Sequence, residues 1–419
     1  MNQDQISQEQ MDEQNNDQPQ QMPGEYFYRP DEERKEQKNK NPWIVILIVI
    51  VLIVTIFGWW FLRLGDEKKR GTPIEINNED DGRLDQNALN KGEVSPISGL
   101  ACENWKRRPL AIMQPADVDA RPAAGFSQAD MVIEMPVITA GITRLMGIYI
   151  CDLPTEAGSM RSARHDFIHL AKGLDAIFVS WGRSETHDES DSIGMAKGIL
   201  NRLEIDNINC NGDAGKSANE CSKGASACFR KEGFARGVDS GYSRPGLLFE
   251  CAREFGYETE GRLGGYAHQM DVPLESRIER GHLRVGYAGK YAVEYDYDRE
   301  TNSYLRSWGG NPDIDRNNGK RLAPKNIVVM MAKSEQTKDD YNNVQLGDPW
   351  YDSSDSGEAL YYIDGHEIRG KWKKDKSRID SKLQFLNNSG EDIKFVPGQI
   401  WVQVLEPGQK LKWKTDEDV

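Results

Sequence analysis

Four arginines occupy positions where guanidinium chemistry is useful. Arg161 and Arg164 bracket Ser162, a residue type that caps helices, ahead of an apolar-periodic stretch running to Lys172. The free N–H groups and positive dipole end of a helix start favour an anion. Arg144 opens an apolar run just before this segment, and Arg121 lies in the loop after another such run. Loops after strands are where α/β layers place ligand contacts. A guanidinium fork holds carboxylate or phosphate through two parallel hydrogen bonds. Arg121, Arg144, Arg161 and Arg164 are therefore the candidate anion site. The competing expectation is an internal ion-pair network with Asp130, Glu134, Asp166 and Asp175.

Other constellations carry less. His165 and His169 fall i, i+4 on one helix face and, with Asp166 and His187, have the donor types of a metal site. That spacing is common by chance, so no metal and no cofactor is expected. Asn211–Ser217 (NGDAGKS) has the ending of a phosphate-binding loop, but Cys210 stands where its first glycine belongs and no buried strand precedes it. Ser180 has His187, Asp188 and Glu189 downstream, without the turn that exposes a nucleophile. The acidic loop Glu185–Asp191 lacks calcium-loop spacing. Trp372, Trp401, Tyr361 and Tyr362 offer an aromatic platform for sugar rings, yet alternation along strands is the pattern of a core. No catalytic residue is assigned.

These residues need strands and helices to hold them. Pro109–Met113, Met131–Ile133, Leu145–Ile150 and Ala176–Trp181 are short apolar runs bounded by turn residues, the signature of buried strands. Helices are expected from Ser162 to Lys172 and over Gly246–Phe255, the second opened by Pro245 at no cost in helical hydrogen bonds. Strands alternating with helices predict an α/β domain, a mixed sheet with flanking helices, over residues 94–283. Beyond it, Tyr287–Tyr297, Ile327–Ala332, Ala359–Ile363, Glu367–Trp372, Leu383–Leu386 and Ile400–Leu405 predict a β-rich domain over 284–408, followed by a charged tail at 409–419.

The N-terminal quarter is different. Residues 1–42 are rich in Gln, Asn, Asp and Glu and cannot bury enough apolar surface to order, so a disordered cytoplasmic tail is expected. Trp43–Leu62 (WIVILIVIVLIVTIFGWWFL) holds no charge in twenty residues, enough for a helix to cross about 30 Å of hydrocarbon. It exceeds a signal-peptide core and no small-residue cleavage site follows it. One uncleaved transmembrane helix is expected, with the bilayer as its partner, and residues 63–93 form a polar linker. Five basic residues before the run (Arg29, Arg34, Lys35, Lys38, Lys40) against four after it (Arg63, Lys68, Lys69, Arg70) do not fix orientation. Cys102, Cys151, Cys210, Cys221, Cys228 and Cys251 all lie beyond the run, an even set suited to disulfides outside the cytosol. The 419 residues carry 67 acidic against 53 basic side chains, a net charge of −14, which argues against nucleic acid as a partner.

Several segments together carry a family resemblance. Ser95-Pro-Ile-Ser-Gly-Leu100, Arg108-Pro-Leu-Ala-Ile-Met113, Ala120-Arg-Pro122, Ser127-Gln-Ala-Asp130, Gly141-Ile-Thr-Arg144 and Gly158-Ser-Met-Arg-Ser-Ala-Arg164 occur in that order. Lys325-Asn-Ile-Val-Val329, Gly370-Lys-Trp-Lys373 and Pro397-Gly-Gln-Ile-Trp-Val402 follow. This order resembles the YerB-like lipoproteins, bacterial envelope proteins with an N-terminal and a C-terminal part of unknown function. The resemblance implies an extracytoplasmic, membrane-tethered protein, single-pass with its C-terminal domains outside, and supplies no activity. The chain departs from that pattern in three places. Cys102 is far from the apolar run and so is no lipid-modified cysteine, a Pro-His-Asn segment is replaced by Arg236–Pro245, and Asn207–Cys228 looks inserted. The expectation is a non-catalytic binder of an anionic cell-envelope component such as a wall polymer. The alternatives are a hydrolase or transferase on a phosphate-bearing envelope polymer, and a scaffold for envelope proteins.

Overall fold

The computed structural model describes residues 93–138, 141–184, 196–202, 205–213, 215–287, 289–336, 342–349 and 352–416. The apolar run 43–62, the tail 1–42, the linker up to residue 92, and the loop with His187, Asp188 and Glu189 lie outside them. Among the described residues no helix is long and apolar enough to cross a membrane.

Apolar runs become strands. The sequence order is β1 Leu110–Pro115, β2 Met131–Pro136, β3 Thr143–Tyr149, α1 His165–Gly173, β4 Ile177–Ser180, α2 Ala196–Arg202, β5 Asn207–Asn209, α3 Gly224–Ala227 and α4 Pro245–Glu254. It continues with β6 Gly281–Val285, β7 Val293–Asp298, β8 Ser303–Trp308, β9 Asn326–Met331, β10 Ser334–Gln336 and β11 Asn342–Val344. The last are β12 Ser356–Ile363, β13 His366–Lys373, β14 Gln384–Asn387, β15 Ile400–Leu405 and β16 Lys412–Thr415. Two starts differ from the sequence expectation. Helix α1 begins at His165, and Arg164, not Ser162, is its N-cap. Residues 161–163 are instead drawn into backbone pairing between strand ends, described below. The strand expected over Tyr287–Tyr297 starts only at Val293, because Gly289–Tyr291 makes a 3-10 turn. The charged stretch 409–419 holds a strand, β16, whose Lys-Trp-Lys-Thr alternation pairs with β6.

Ten strands form one sheet in the order β14-β13-β12-β9-β15-β2-β3-β1-β4-β5. It draws strands from both sides of residue 284. The join is β15, which lies parallel to β2 on one side and to β9 on the other. Strands β1, β4 and β5 run parallel to one another. Both faces are covered, so central strands read as nearly unbroken apolar segments rather than alternating ones. On one face Phe167, Ile168 and Leu170 of α1 and Ile199 and Leu200 of α2 pack with Met113, Ile133 and Phe178. The other face takes Leu248 and Phe249 of α4 and a second sheet made of β16, β6, β7 and β8 with the edge residues Asn311–Pro312. Its Leu283, Val293, Tyr295 and Tyr304 meet Ile112, Val132, Val329 and Trp401. Trp372, Trp401, Tyr361 and Tyr362 are buried core residues rather than an exposed platform.

All six cysteines are paired, Cys102–Cys151, Cys210–Cys228 and Cys221–Cys251. The last two fasten the segment 207–228 to itself and to α4. Within that segment Ser217 caps the turn Ala218–Glu220, accepting from Asn219 N while Glu220 accepts from Ser217 N. This is a capping box, so the Lys-Ser pair there serves a turn.

Candidate functional site

Strands β1 and β4 end side by side, and residues 161–164 are threaded between their carboxyl ends. Arg161 N donates to Met113 O (3.0 Å), Trp181 N to Arg161 O (3.0 Å), and Ala163 N to Gly182 O (2.9 Å). The carboxyl ends of parallel strands are where open α/β sheets hold ligands. This placement turns the Arg161 guanidinium toward the loop after β1, onto Asp117.

Asp117 is the hub of the cluster. Its Oδ2 accepts from Arg161 Nη2 (3.1 Å) and lies 3.3 Å from Arg236 Nη2, and its Oδ1 accepts from the Tyr291 hydroxyl (3.3 Å). Arg161 also binds the fully buried Asp239 and the carbonyl of Val238. Arg236 Nε reaches Asp239 Oδ2 (2.8 Å) and Asp119 Oδ2 (3.1 Å). Burial pushes the Asp117 carboxyl up, but the Arg161 hydrogen bond and the charges of Arg161, Arg236 and Arg144 outweigh it and hold the group below its ordinary value. Arg121 is buried against the Trp308 ring at 4.9 Å and donates Nη1 to both oxygens of Asp313, at 3.0 and 3.3 Å. Burial lowers its pKa against the opposing pull of Asp313.

Of the four sequence-predicted arginines, Arg161 contacts Asp117, whose carboxyl also feels the charge of Arg144, while Arg121 pairs with Asp313 and Arg164 is buried at the N-cap of α1 with Nη1 on Ala163 O (2.9 Å). The carboxylate partners differ from the expected set. Asp130 accepts from Ser98 Oγ (2.6 Å) and Ile150 N (2.8 Å), and Asp166 accepts from Val344 N (3.1 Å). Asp175 pairs with Arg108 (3.5 Å). Only Glu134 meets an arginine of the neighbourhood, Arg306, at 2.6 Å. Asp117, Arg236 and Asp239 escaped the sequence reading. The position of Asp117 immediately past β1 was the available signal. Arg236 and Asp239 belong to the segment that departs from the resembled family.

The surface over this hub carries both signs. Arg236 and Asp119 are exposed, and Val118 and Val238, 52 % and 62 % exposed, stand beside them on two 3-10 turns that Arg236 ties together. Arg161 and Arg236 face Asp117, Asp119 and Asp239, so the exposed cation does not stand alone.

A second buried ionic cluster joins α1 to β11 and the loop after it. His165 Nε2 lies 2.9 Å from Asn343 Oδ1 and 3.1 Å from Asp166 Oδ1, and His169 pairs with Asp348. Asp352 accepts from Leu346 N (2.6 Å), Asp348 N (2.9 Å) and Asn343 Nδ2 (3.1 Å). The two imidazoles are engaged as parts of the α1 packing. Burial, with Asp166 nearby, pushes Asp352 up to about 7. Burial opposes the charge on His165, but Asp166 and Asn343 prevail and raise it. Lys374, donating to Ile379 O (3.1 Å), is pushed down by burial to about 8. A carboxyl whose folded pKa lies above its unfolded value near 4 gives stability present below pH 4 and lost as pH rises through 7. Stability of the described fold is therefore expected to fall over pH 4–7 by about 3–4 kcal/mol from this group. His165 adds a loss above its unfolded value, and Lys374 a gain between pH 8 and its unfolded value. Asp352→Asn should flatten the 4–7 limb in urea titrations. An unchanged slope would clear Asp352 of the effect.

Comparison with known proteins agrees with this architecture. Residues 97–202 match the N-terminal domain and residues 283–402 the C-terminal domain of the family described as protein of unknown function DUF3048. YerB of Bacillus subtilis (strain 168), a protein carrying a lipoprotein name, is 28% identical over 316 residues, which is 74% of this chain and 86% of that protein. The crystal structure of Bacillus subtilis YerB superposes with a TM-score of 0.63 at 26% identity, covering 77% of this chain and 99% of that one. Matched in both of its halves, in sequence and in fold, the chain belongs to the YerB-like family.

Proposed function

We propose that this protein is an interaction scaffold of the cell envelope, tethered by residues 43–62 as one transmembrane helix with its folded part outside the cytoplasm. Three features support the location: the uncharged length of that run, the lipoprotein name of a relative, and six cysteines paired as an oxidising compartment allows.

One observation carries the choice of partner. The guanidinium groups of Arg161 and Arg236 are already shared among Asp117, Asp119 and Asp239. An anionic polymer must displace these carboxylates to gain the same bonds, so the cluster favours an anion less than its arginines alone do. What it presents outward is two valines beside one exposed cation and one exposed carboxylate. That combination suits a protein surface with an apolar centre and a mixed-charge rim. A cavity of about 450 Å³ in the structure has no arginine in its lining.

A photo-crosslinking residue at Val238 of the full chain in its own membrane tests this. The expected result is a discrete protein adduct that disappears with Val118→Asp and is absent when the probe sits at exposed Lys394. A salt-sensitive adduct with wall polymer would restore the anion-binding reading, and no adduct at Val238 would remove the surface from consideration.

A further inference from the structure

The same edge of the large sheet that carries the arginine hub carries a second feature at its other end. Parallel strands β9 and β15 end together at Met331 and Leu405, and beyond them opens the cavity of about 450 Å³. That size falls within the roughly 300–1,000 Å³ of small-molecule sites. Trp372 forms part of its wall, its ring fixed by the Nε1 bond to Met331 O (2.9 Å). The indole passes so close to Gly357 that a Cβ there would lie 2.5 Å from Nε1.

Gln345, 1 % exposed, is the informative residue. Its Oε1 accepts from Ser353 N (2.6 Å) and Ser353 Oγ (3.1 Å), which fixes which end of the amide is carbonyl. The side chain belongs to the cavity lining, and its Nε2 is buried and has no acceptor among the described residues. A buried amide donor left unmatched is costly, so it marks a place for an oxygen from elsewhere. Lys333 and Glu358 line the cavity with opposite charges, so a ligand needs none. Ser356 and Gln409 add groups that both donate and accept.

We infer that this cavity binds a saccharide, with a carbonyl or hydroxyl oxygen on Gln345 Nε2. Sugar hydroxyls both give and take hydrogen bonds, which matches donors at Gln345 and Lys333, an acceptor at Glu358 and two-way groups at Ser356 and Gln409. The C–H face of a ring finds apolar surface at Met331 and Pro407 in the lining. The site is separate from the surface at Val118 and Val238, and failure at either leaves the other standing.

The test is calorimetry on the full chain in detergent micelles, titrated with N,N′-diacetylchitobiose, cellobiose and a dipeptide. The expected result is saccharide binding that Gln345→Glu weakens at least about tenfold, because this change keeps the acceptor for Ser353 and deletes the donor. Lys333→Ala, at the exposed rim, should weaken it less. If Gln345→Glu does not fold, the Trp372 indole N–H resonance of the unaltered chain serves, and it must shift as chitobiose is added. No saccharide binding up to about 10 mM, equal binding to Gln345→Glu, an unmoved Trp372 resonance, or binding of the dipeptide alone would each overturn the assignment.

Discussion

Arg306→Ala is expected to cost about 3–5 kcal/mol of unfolding free energy, because it strands a buried carboxylate. Arg306 sits on β8 of the smaller sheet, fully buried, and reaches across to the larger one. Its Nη2 meets Glu134 Oε2 of β2 at 2.6 Å and its Nη1 meets Asp313 Oδ2 at 3.1 Å, with the guanidinium 4.5 Å from the Trp401 ring of β15. Burial alone would lower its pKa, yet Tyr295, Glu134 and Asp313 raise it above the ordinary value. Removing the cation leaves Glu134 held only by Thr143 Oγ1 (2.8 Å) and puts an uncompensated carboxylate between two packed sheets. Denaturant titration measures the loss. Adding Glu134→Gln to Arg306→Ala should recover part of it, because the stranded charge is gone. A loss under about 1 kcal/mol for the single variant would mean that water reaches this layer.

The second large effect belongs to the disulfides. Chain-entropy arithmetic for the Cys102–Cys151 bridge, which closes 49 residues, gives a loss of about 4 kcal/mol on replacing both cysteines by alanine. For Cys210–Cys228, closing 18 residues, the same arithmetic gives about 3 kcal/mol. Peptide mapping without reductant should return these two pairs and Cys221–Cys251. Thermal midpoints of the paired Ala variants should then fall in the order of loop length. A different connectivity, or the shorter loop proving the costlier, would refute the account.

The sequence exposed the central strands and hid their neighbours, for a physical reason. β1, β2, β4, β9 and β15 are covered on both faces, so their residues are apolar almost throughout and stand out locally. β6, β8 and β16 have polar residues at alternate positions, such as His282, Arg284, Lys412 and Lys414, and β8 turns Arg306 inward, so each reads as loop or tail. Pro245 announced α4, whereas Ser162 misplaced the start of α1, since its flanking backbone is claimed by Met113 and Gly182. The single sheet spanning residue 284 was invisible because strand order depends on partners hundreds of residues apart. The site shows the same limit. Its arginines were legible by type, but Asp239, 78 residues from Arg161, declares no relation to it in the chain.

β15 lies near the middle of the ten-stranded sheet and comes later in the chain than both strands it joins, β2 and β9. A ribosome releases residues 400–405 after nearly everything they bind, so β2 and β9 must wait with bare edges until the closing strand slides between them. Assembly of this sheet thus waits on a strand made after both of its neighbours. A nascent chain stalled short of Leu405 holds two half-sheets with open margins, the state in which strands most readily pair with the wrong neighbour.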